Sequence, residues 1–134
     1  MAVGVIDTNV VILLERFDPG DLPGEPVITA ITLAELSVGP LVATDENEQA
    51  ARQARLQEVE SVFEPLAFDA AAARAFGRVA ASLRRSGRKP TARAFDALIA
   101  ATAIASQLPL YSANPDDYAG IDNLDLVVLT HPDA

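Results

Sequence analysis

The sequence predicts an α/β fold, a three-layer α/β/α sandwich built on a central parallel sheet of about five strands. Three observations lead there. Short apolar runs alternate with helix-periodic stretches along the whole chain, which is the pattern of βαβ units. The first run, Val3 to Ile6, shows no polar alternation, as expected of a strand covered on both faces. With 134 residues, no internal repeat and no linker-like segment, the chain reads as a single domain spanning 1–134.

The elements follow in order. After the strand at 3–6, Thr8 is placed to cap a helix over 8–17, with Val10, Leu13, Leu14 and Phe17 at helical spacing. A Pro/Gly/Asp loop (18–26) leads to a second strand over 26–30. Thr32 and Glu35 then have the spacing of a capping box, opening a short helix that ends near Gly39 and Pro40. Residues 45–63 read as a helix with Leu56, Val59 and Phe63 on one side. A short strand is expected over 64–68. Asp69 caps the next helix, whose Ala72, Phe76, Val79 and Leu83 keep the 3.6-residue rhythm as far as Gly87. From about Ala92 to Gln107 runs a helix that is apolar nearly all round, so it should be packed on several sides. Strands over 108–112 and 126–129 complete the sheet.

Composition narrows the chemistry. Half the residues are hydrophobic and 22% are charged, which excludes a disordered chain. There is no Cys, so disulfides, thiolate metal sites and cysteine nucleophiles are excluded together. The one His, His131, lies in the C-terminal tail, a poor place for imidazole catalysis. The longest charge-free, mostly apolar stretch, 97–105, is half of the about 20 residues a membrane span needs, and no basic segment precedes the apolar start. A soluble, cytoplasmic domain with no membrane partner is expected. Ten basic against nineteen acidic residues give a net charge of −9, which taken whole argues against a nucleic-acid binder.

Ligands of open parallel sheets bind beyond the carboxyl ends of the strands. That rule selects four acids: Asp7 at the end of the first strand, Glu35 in the helix after the second, Asp96 opening the apolar helix, and Asp117 after the strand at 108–112. Each alone has an ordinary structural reading: strand end or N-cap, capping box, helix-dipole partner, turn residue. Together they are harder to explain that way, because carboxylates about 4 Å apart repel by about 4 kcal/mol per pair at an effective dielectric of about 20. A convergent cluster therefore calls for a cation. With neither Cys nor a well-placed His, the donors are all oxygen, which suits Mg²⁺ or Mn²⁺ and hydrolysis of a phosphodiester.

The stretches VGVIDTNVVI (3–12), ITLAEL (31–36), FDALIAATA (95–103) and SANPDDY (112–118) resemble, in order and spacing, the four motifs of PIN-domain proteins, above all the VapC-type toxins of toxin–antitoxin modules. The resemblance runs from residue 3 to about 129. It implies an RNA-cleaving enzyme dependent on Mg²⁺ or Mn²⁺, usually a homodimer, held inactive by a VapB-type antitoxin whose tail enters the active-site groove. Carried over by position, Asp7, Glu35 and Asp96 match three family acids. The fourth motif maps onto Ser112, Asn114, Asp117 and Tyr118, making Asp117 the acid, with the neighbouring Asp116 as the other candidate. Thr8 belongs to the first motif, where its hydroxyl would hold a carboxylate or a water. The roles implied are Asp7 and Asp96 as principal metal ligands, Glu35 as a ligand or positioner of the attacking water, and Asp117 as a second-metal or water-mediated ligand.

Residues 84–93, RRSGRKPTAR, carry five of the ten basic residues and no acid. Arg84 and Arg85 suit a helix C-terminus. Arg88, Lys89 and Arg93 lead straight into Asp96 and are candidates to grip RNA phosphates. An acidic body with one basic loop also suits a basic antitoxin tail. Two rival readings are a catalytically silent PIN-like interaction module and a haloacid-dehalogenase-like phosphatase. The second requires an acid where Asn9 stands, and an amide cannot deliver a proton.

Overall fold

Val5 and Ile6 are adjacent in sequence and both fully buried, one on each face of the sheet. That pair defines the layers of the protein, described here from a computed structural model covering residues 2–134, the side chains of Thr91 and Ala92 excepted. Strands β1 (Val3–Ile6), β2 (Glu25–Val27), β3 (Leu110–Ser112) and β4 (Leu126–Val128) form one parallel sheet in the order β2-β1-β3-β4. On the face of Ile6 lie helices α1 (Thr8–Ile12), α2 (Ala30–Val38) and α3 (Glu46–Val62), which add Val10, Val11, Leu36 and Val59 to one core cluster. On the face of Val5 lies α5 (Ala94–Ala105), through Ile99, Ala100 and Ala103.

Helix α4 (Ala70–Arg85) covers α5 from outside, setting Ala75, Val79 and Leu83 against Ala97 and Ala101. The small residues spaced around α5 let both neighbours approach, which accounts for its lack of a polar face. Each large side chain buried this way, such as Ile6, Ile28, Ile99 or Leu110, contributes about 1.5–3 kcal/mol relative to exposure. The predicted three-layer class is therefore the one observed.

Several expected boundaries move. The sheet has four strands, because 64–68 contributes only a single bridge, Leu66 to Thr29. Pro65 has no amide to donate there, and Glu64 and Ala67 are exposed. The second strand is shorter and earlier than 26–30, and the helix expected over 8–17 stops at Ile12, with residues 14–16 in a 3₁₀ turn. Helix α5 begins at Ala94, two residues after the expected start, behind a 3₁₀ turn over 90–93. The Thr32–Glu35 capping box does not form. Thr29 is the N-cap of α2, accepting from the amide of Thr32 at 3.2 Å, so Glu35 stands beyond the first turn and is free for another partner.

Asp45 and Asp69 cap α3 and α4 through the amides of Glu48 and Ala72. Gly87, at φ +82°, closes α4 with the amide of Arg88 bonded back to the Leu83 carbonyl. Gly4 interrupts β1 for a packing reason: a Cβ there would lie 2.5 Å from Cε1 of Tyr111 and 2.9 Å from Cβ of Pro23. The C-terminal tail carrying His131 is pinned by an ion pair from Asp133 to Arg16. Among the described residues, no helix is long and apolar enough to cross a membrane.

Candidate metal centre

From β1 the chain crosses to β2 on one side and later returns as β3 on the other. The carboxyl ends of β1 and β3, paired at Ile6 and Tyr111, therefore flank the point where the topology reverses and a crevice opens. Asp7 stands at that point, only 4% exposed. Its Oδ1 accepts from the amide of Val10 at 3.0 Å, capping α1, and its Oδ2 accepts from the hydroxyl of Tyr118 at 3.1 Å. Thr8 does not cap α1. Its hydroxyl donates to Oε1 of Glu35 at 2.7 Å and lies 3.0 Å from the hydroxyl of Thr32, tying α1 to α2.

Asp96 occupies the first turn of α5, and Asp117 lies in a 3₁₀ turn over 115–118 just after β3. Ser112, fully buried at the end of β3, accepts from the amide of Asn114 at 3.0 Å. The Asn114 carbonyl in turn accepts from the amide of Asp117 at 3.1 Å, so Ser112 and Asn114 shape the turn that carries the fourth acid. Asp117 turns inward, at 19% exposed, whereas Asp116 is exposed and offers only its carbonyl, to Arg88 at 3.1 Å.

The electrostatics tie the four acids together. Burial raises the Asp96 carboxyl, and the negative charges of Asp117, Glu35 and Asp7 raise it further, to about 6, against a downward pull from Arg93. Burial also raises Asp7, opposed by hydrogen bonding from Ser112, Val10 and Tyr118 and reinforced by Asp117. Glu35 is raised by burial and by Asp7, with Thr8 opposing. Each acid is thus within electrostatic reach of others drawn from different elements. Among the described residues, no three acids are set as a ready-made ion cage, and Asp7, Glu35 and Asp117 each hold a protein partner instead. The donor set itself, four carboxylates with hydroxyls around them, is all oxygen and fits Mg²⁺ or Mn²⁺.

The basic segment is drawn onto the loop that carries Asp117. Arg85 pairs with Asp122 at 2.8 Å, Arg88 reaches the Asp116 carbonyl, and Arg93 Nη1 lies 2.8 Å from Asp117 Oδ1. Gly120, at φ +85°, permits this approach, since a Cβ there would fall 2.4 Å from Oγ of Ser86. Arg84, Arg88 and Lys89 line a surface depression with Gly87 and Pro90. Two features of the site were not legible beforehand: the Tyr118–Asp7 bond and the Arg93–Asp117 pair, both long-range contacts without a local signature. Tyr118 is core at 3% exposed, while Phe95, beside Asp96, is 56% exposed. A separate groove of about 450 Å³ between the 12–16 segment and α3, lined by Ile12, Leu14, Ala54, Val62 and Phe63, contains none of the four acids.

A family model for the PIN domain matches residues 4–123. The chain belongs to the PIN-domain family. This PIN domain is 39% identical over 124 residues to the ribonuclease VapC5 of Mycobacterium tuberculosis, a match covering 90% of this chain and 89% of that protein. It is 29% identical over 133 residues to the ribonuclease VapC1 of Rickettsia felis, covering 96% and 98%. Its fold is similar to the crystal structure of VapBC-5, a member of the VapBC family of toxin–antitoxin systems from Mycobacterium tuberculosis. There the TM-score is 0.82 at 36% identity, covering 96% of this chain and 98% of that one. The structure of VapBC2 from Rickettsia felis bound to a promoter DNA fragment shares the fold at 23% identity and TM-score 0.77, with 95% and 98% covered.

Proposed function

We propose that this PIN domain is a metal-dependent ribonuclease, the toxin of a toxin–antitoxin pair, which hydrolyses RNA phosphodiester bonds at the site of Asp7, Glu35, Asp96 and Asp117. The observation that carries the reading is the convergence of four acids from separate elements at the reversal of the sheet, where burial and, in addition, the charges of Asp117, Glu35 and Asp7 lift Asp96 to about 6. Such a site is costly unless a cation occupies it. The relatives named ribonuclease VapC support the activity, and the similar structure from a toxin–antitoxin system supports an antitoxin partner.

Asp7 and Asp96 would hold a Mg²⁺ or Mn²⁺ ion directly, and Asp117 would hold a second ion or act through water. Such an ion supplies positive charge to offset the charge building on the scissile phosphate and the leaving oxygen. The other contributions belong to the chain. Thr8 fixes Oε1 of Glu35 and leaves Oε2 for the metal ion or to orient the attacking water. Val10 and Tyr118 hold both Asp7 oxygens in one orientation. Arg88 and Lys89 offer charge to the RNA backbone from the depression they line.

The test uses the purified full chain, free of antitoxin, with a mixed-sequence RNA. Cleavage is expected in Mg²⁺ or Mn²⁺ and not in EDTA, and Asp96→Asn should abolish it with the circular dichroism unchanged. Cleavage by Asp96→Asn at the parent's rate removes the site assignment, and no cleavage in either metal favours a silent interaction module. Neutralising Arg88 and Lys89 together should reduce the salt slope of RNA binding by about one to two.

A further inference from the structure

Arg93 is placed against the local interests of its helix. It occupies the N-cap position of α5, makes no capping bond there, and sets a positive charge at the positive end of the helix dipole. A position that breaks a local rule in this way is compensated elsewhere, and here the compensation lies at the acid cluster. Nη1 of Arg93 is 2.8 Å from Oδ1 of Asp117, with the Asp117 side chain mostly buried and the Arg93 side chain 55% exposed. The anion is therefore inside the crevice and the cation at its mouth.

A divalent ion on the Asp117 carboxylate would stand within a few ångströms of the guanidinium held at Oδ1, and in a partly buried site the two cations repel each other. Departure of one relieves that repulsion. Arg93 is the one that can leave, being half-exposed and on a flexible stem. Once released, its guanidinium remains tethered three residues before Asp96, where a phosphate lying on the site is within reach of a bidentate contact.

Building on the metal-dependent reading above, we propose that Arg93 is a displaceable cation. It neutralises Asp117 while no divalent ion is bound, yields Asp117 to the ion, and then grips the phosphate of the RNA substrate. Removing it must then move metal affinity and RNA cleavage in opposite directions. A residue that merely stabilised the turn would not do this.

The experiment titrates the full chain with Mn²⁺ alone by calorimetry, and separately measures RNA cleavage at saturating Mn²⁺. Arg93→Gln should bind Mn²⁺ about threefold to fivefold more tightly, the scale of releasing one half-exposed ion pair. The same variant should cleave at least about tenfold more slowly. Arg93→Lys keeps the charge but not the fork, so its Mn²⁺ affinity should stay near the parent's while cleavage falls. In an Asp117→Asn background, Arg93→Gln should no longer change Mn²⁺ affinity. Unchanged or weaker Mn²⁺ binding by Arg93→Gln overturns the displacement, and undiminished cleavage overturns the phosphate grip. If parent and variant alike fail to bind Mn²⁺, the metal-dependent reading itself falls, an outcome distinct from the other two.

Discussion

Tyr118 and Asp7, 111 residues apart in sequence, meet at 3.1 Å through the tyrosine hydroxyl and Oδ2 of the carboxylate. The ring is packed in the cluster of Val5, Ile99 and Leu110, so the hydroxyl comes from a fixed wall of the core. Its proton is held firmly, since burial and the charges of Asp7 and Asp96 push the phenol upward, beyond its usual range. Tyr118 thus acts as a donor that positions Asp7.

Tyr118→Phe keeps the ring and deletes that donor. A hydrogen bond to a charged acceptor contributes about 1.5–3 kcal/mol, so urea denaturation of the metal-free protein should show a loss of about that size. Ribonuclease activity should fall but persist, because Val10 still holds Oδ1. Unchanged stability in urea would show that the bond carries no weight in solution.

Asp7 has two separable duties, capping α1 and supplying charge. Asparagine caps about as well as aspartate, whereas alanine forfeits about 1 kcal/mol. Asp7→Asn should therefore lose RNA cleavage while staying more stable than Asp7→Ala without metal, since its amide oxygen still caps α1. Asp7→Ala should lose both. Thermal melts of the two variants in EDTA separate them, and an Asp7→Asn protein melting below Asp7→Ala would refute the division.

Much of this was legible in the chain. The apolar run of β1, the Asp69 cap and the all-apolar α5 are local signals that tertiary contacts did not override. The positions of Asp7, Glu35, Asp96 and Asp117 followed from asking which acids lie beyond strand ends. The capping of α2 was assigned to Thr32, whereas Thr29, three residues earlier, serves as the cap. The bridge from Leu66 places Thr29 at the turn. With Thr29 taking the cap, Glu35 was left for Thr8, a contact between helices that local spacing does not encode. Arg93 was visible as part of a basic run, but its pairing with Asp117 depends on how the 115–122 loop folds back, which is non-local.

Gly4 offers a test of the core apart from the chemistry. Alanine there places a methyl against the ring of Tyr111 and against Pro23, neither of which is the free end of a flexible chain. Overpacking of this kind costs about 1–3 kcal/mol. Gly4→Ala should lower the urea midpoint by a corresponding amount, and an unshifted midpoint would mean that the sheet yields at that point.

The raised acids make the metal-free protein sensitive to pH in a definite direction. The Asp96 carboxyl sits at about 6 in the folded chain against an ordinary value of 3.8, so between these values the folded state binds more protons than the unfolded state. Its contribution is therefore intact below about pH 4 and is lost as pH rises through about 6, by on the order of 2–3 kcal/mol. Asp7 and Glu35 are raised as well and act in the same direction. Asp96→Asn removes the titrating group, so in EDTA the variant's stability advantage over the parent should widen from pH 4.5 to pH 7.5. Mn²⁺ should close the gap by stabilising the parent, because binding to the folded state alone adds stability in proportion to the logarithm of its saturation. Urea denaturation at several pH values, with and without Mn²⁺, measures both effects. A gap that stays constant across that range in EDTA would mean that Asp96 is no more strained in the fold than in the open chain.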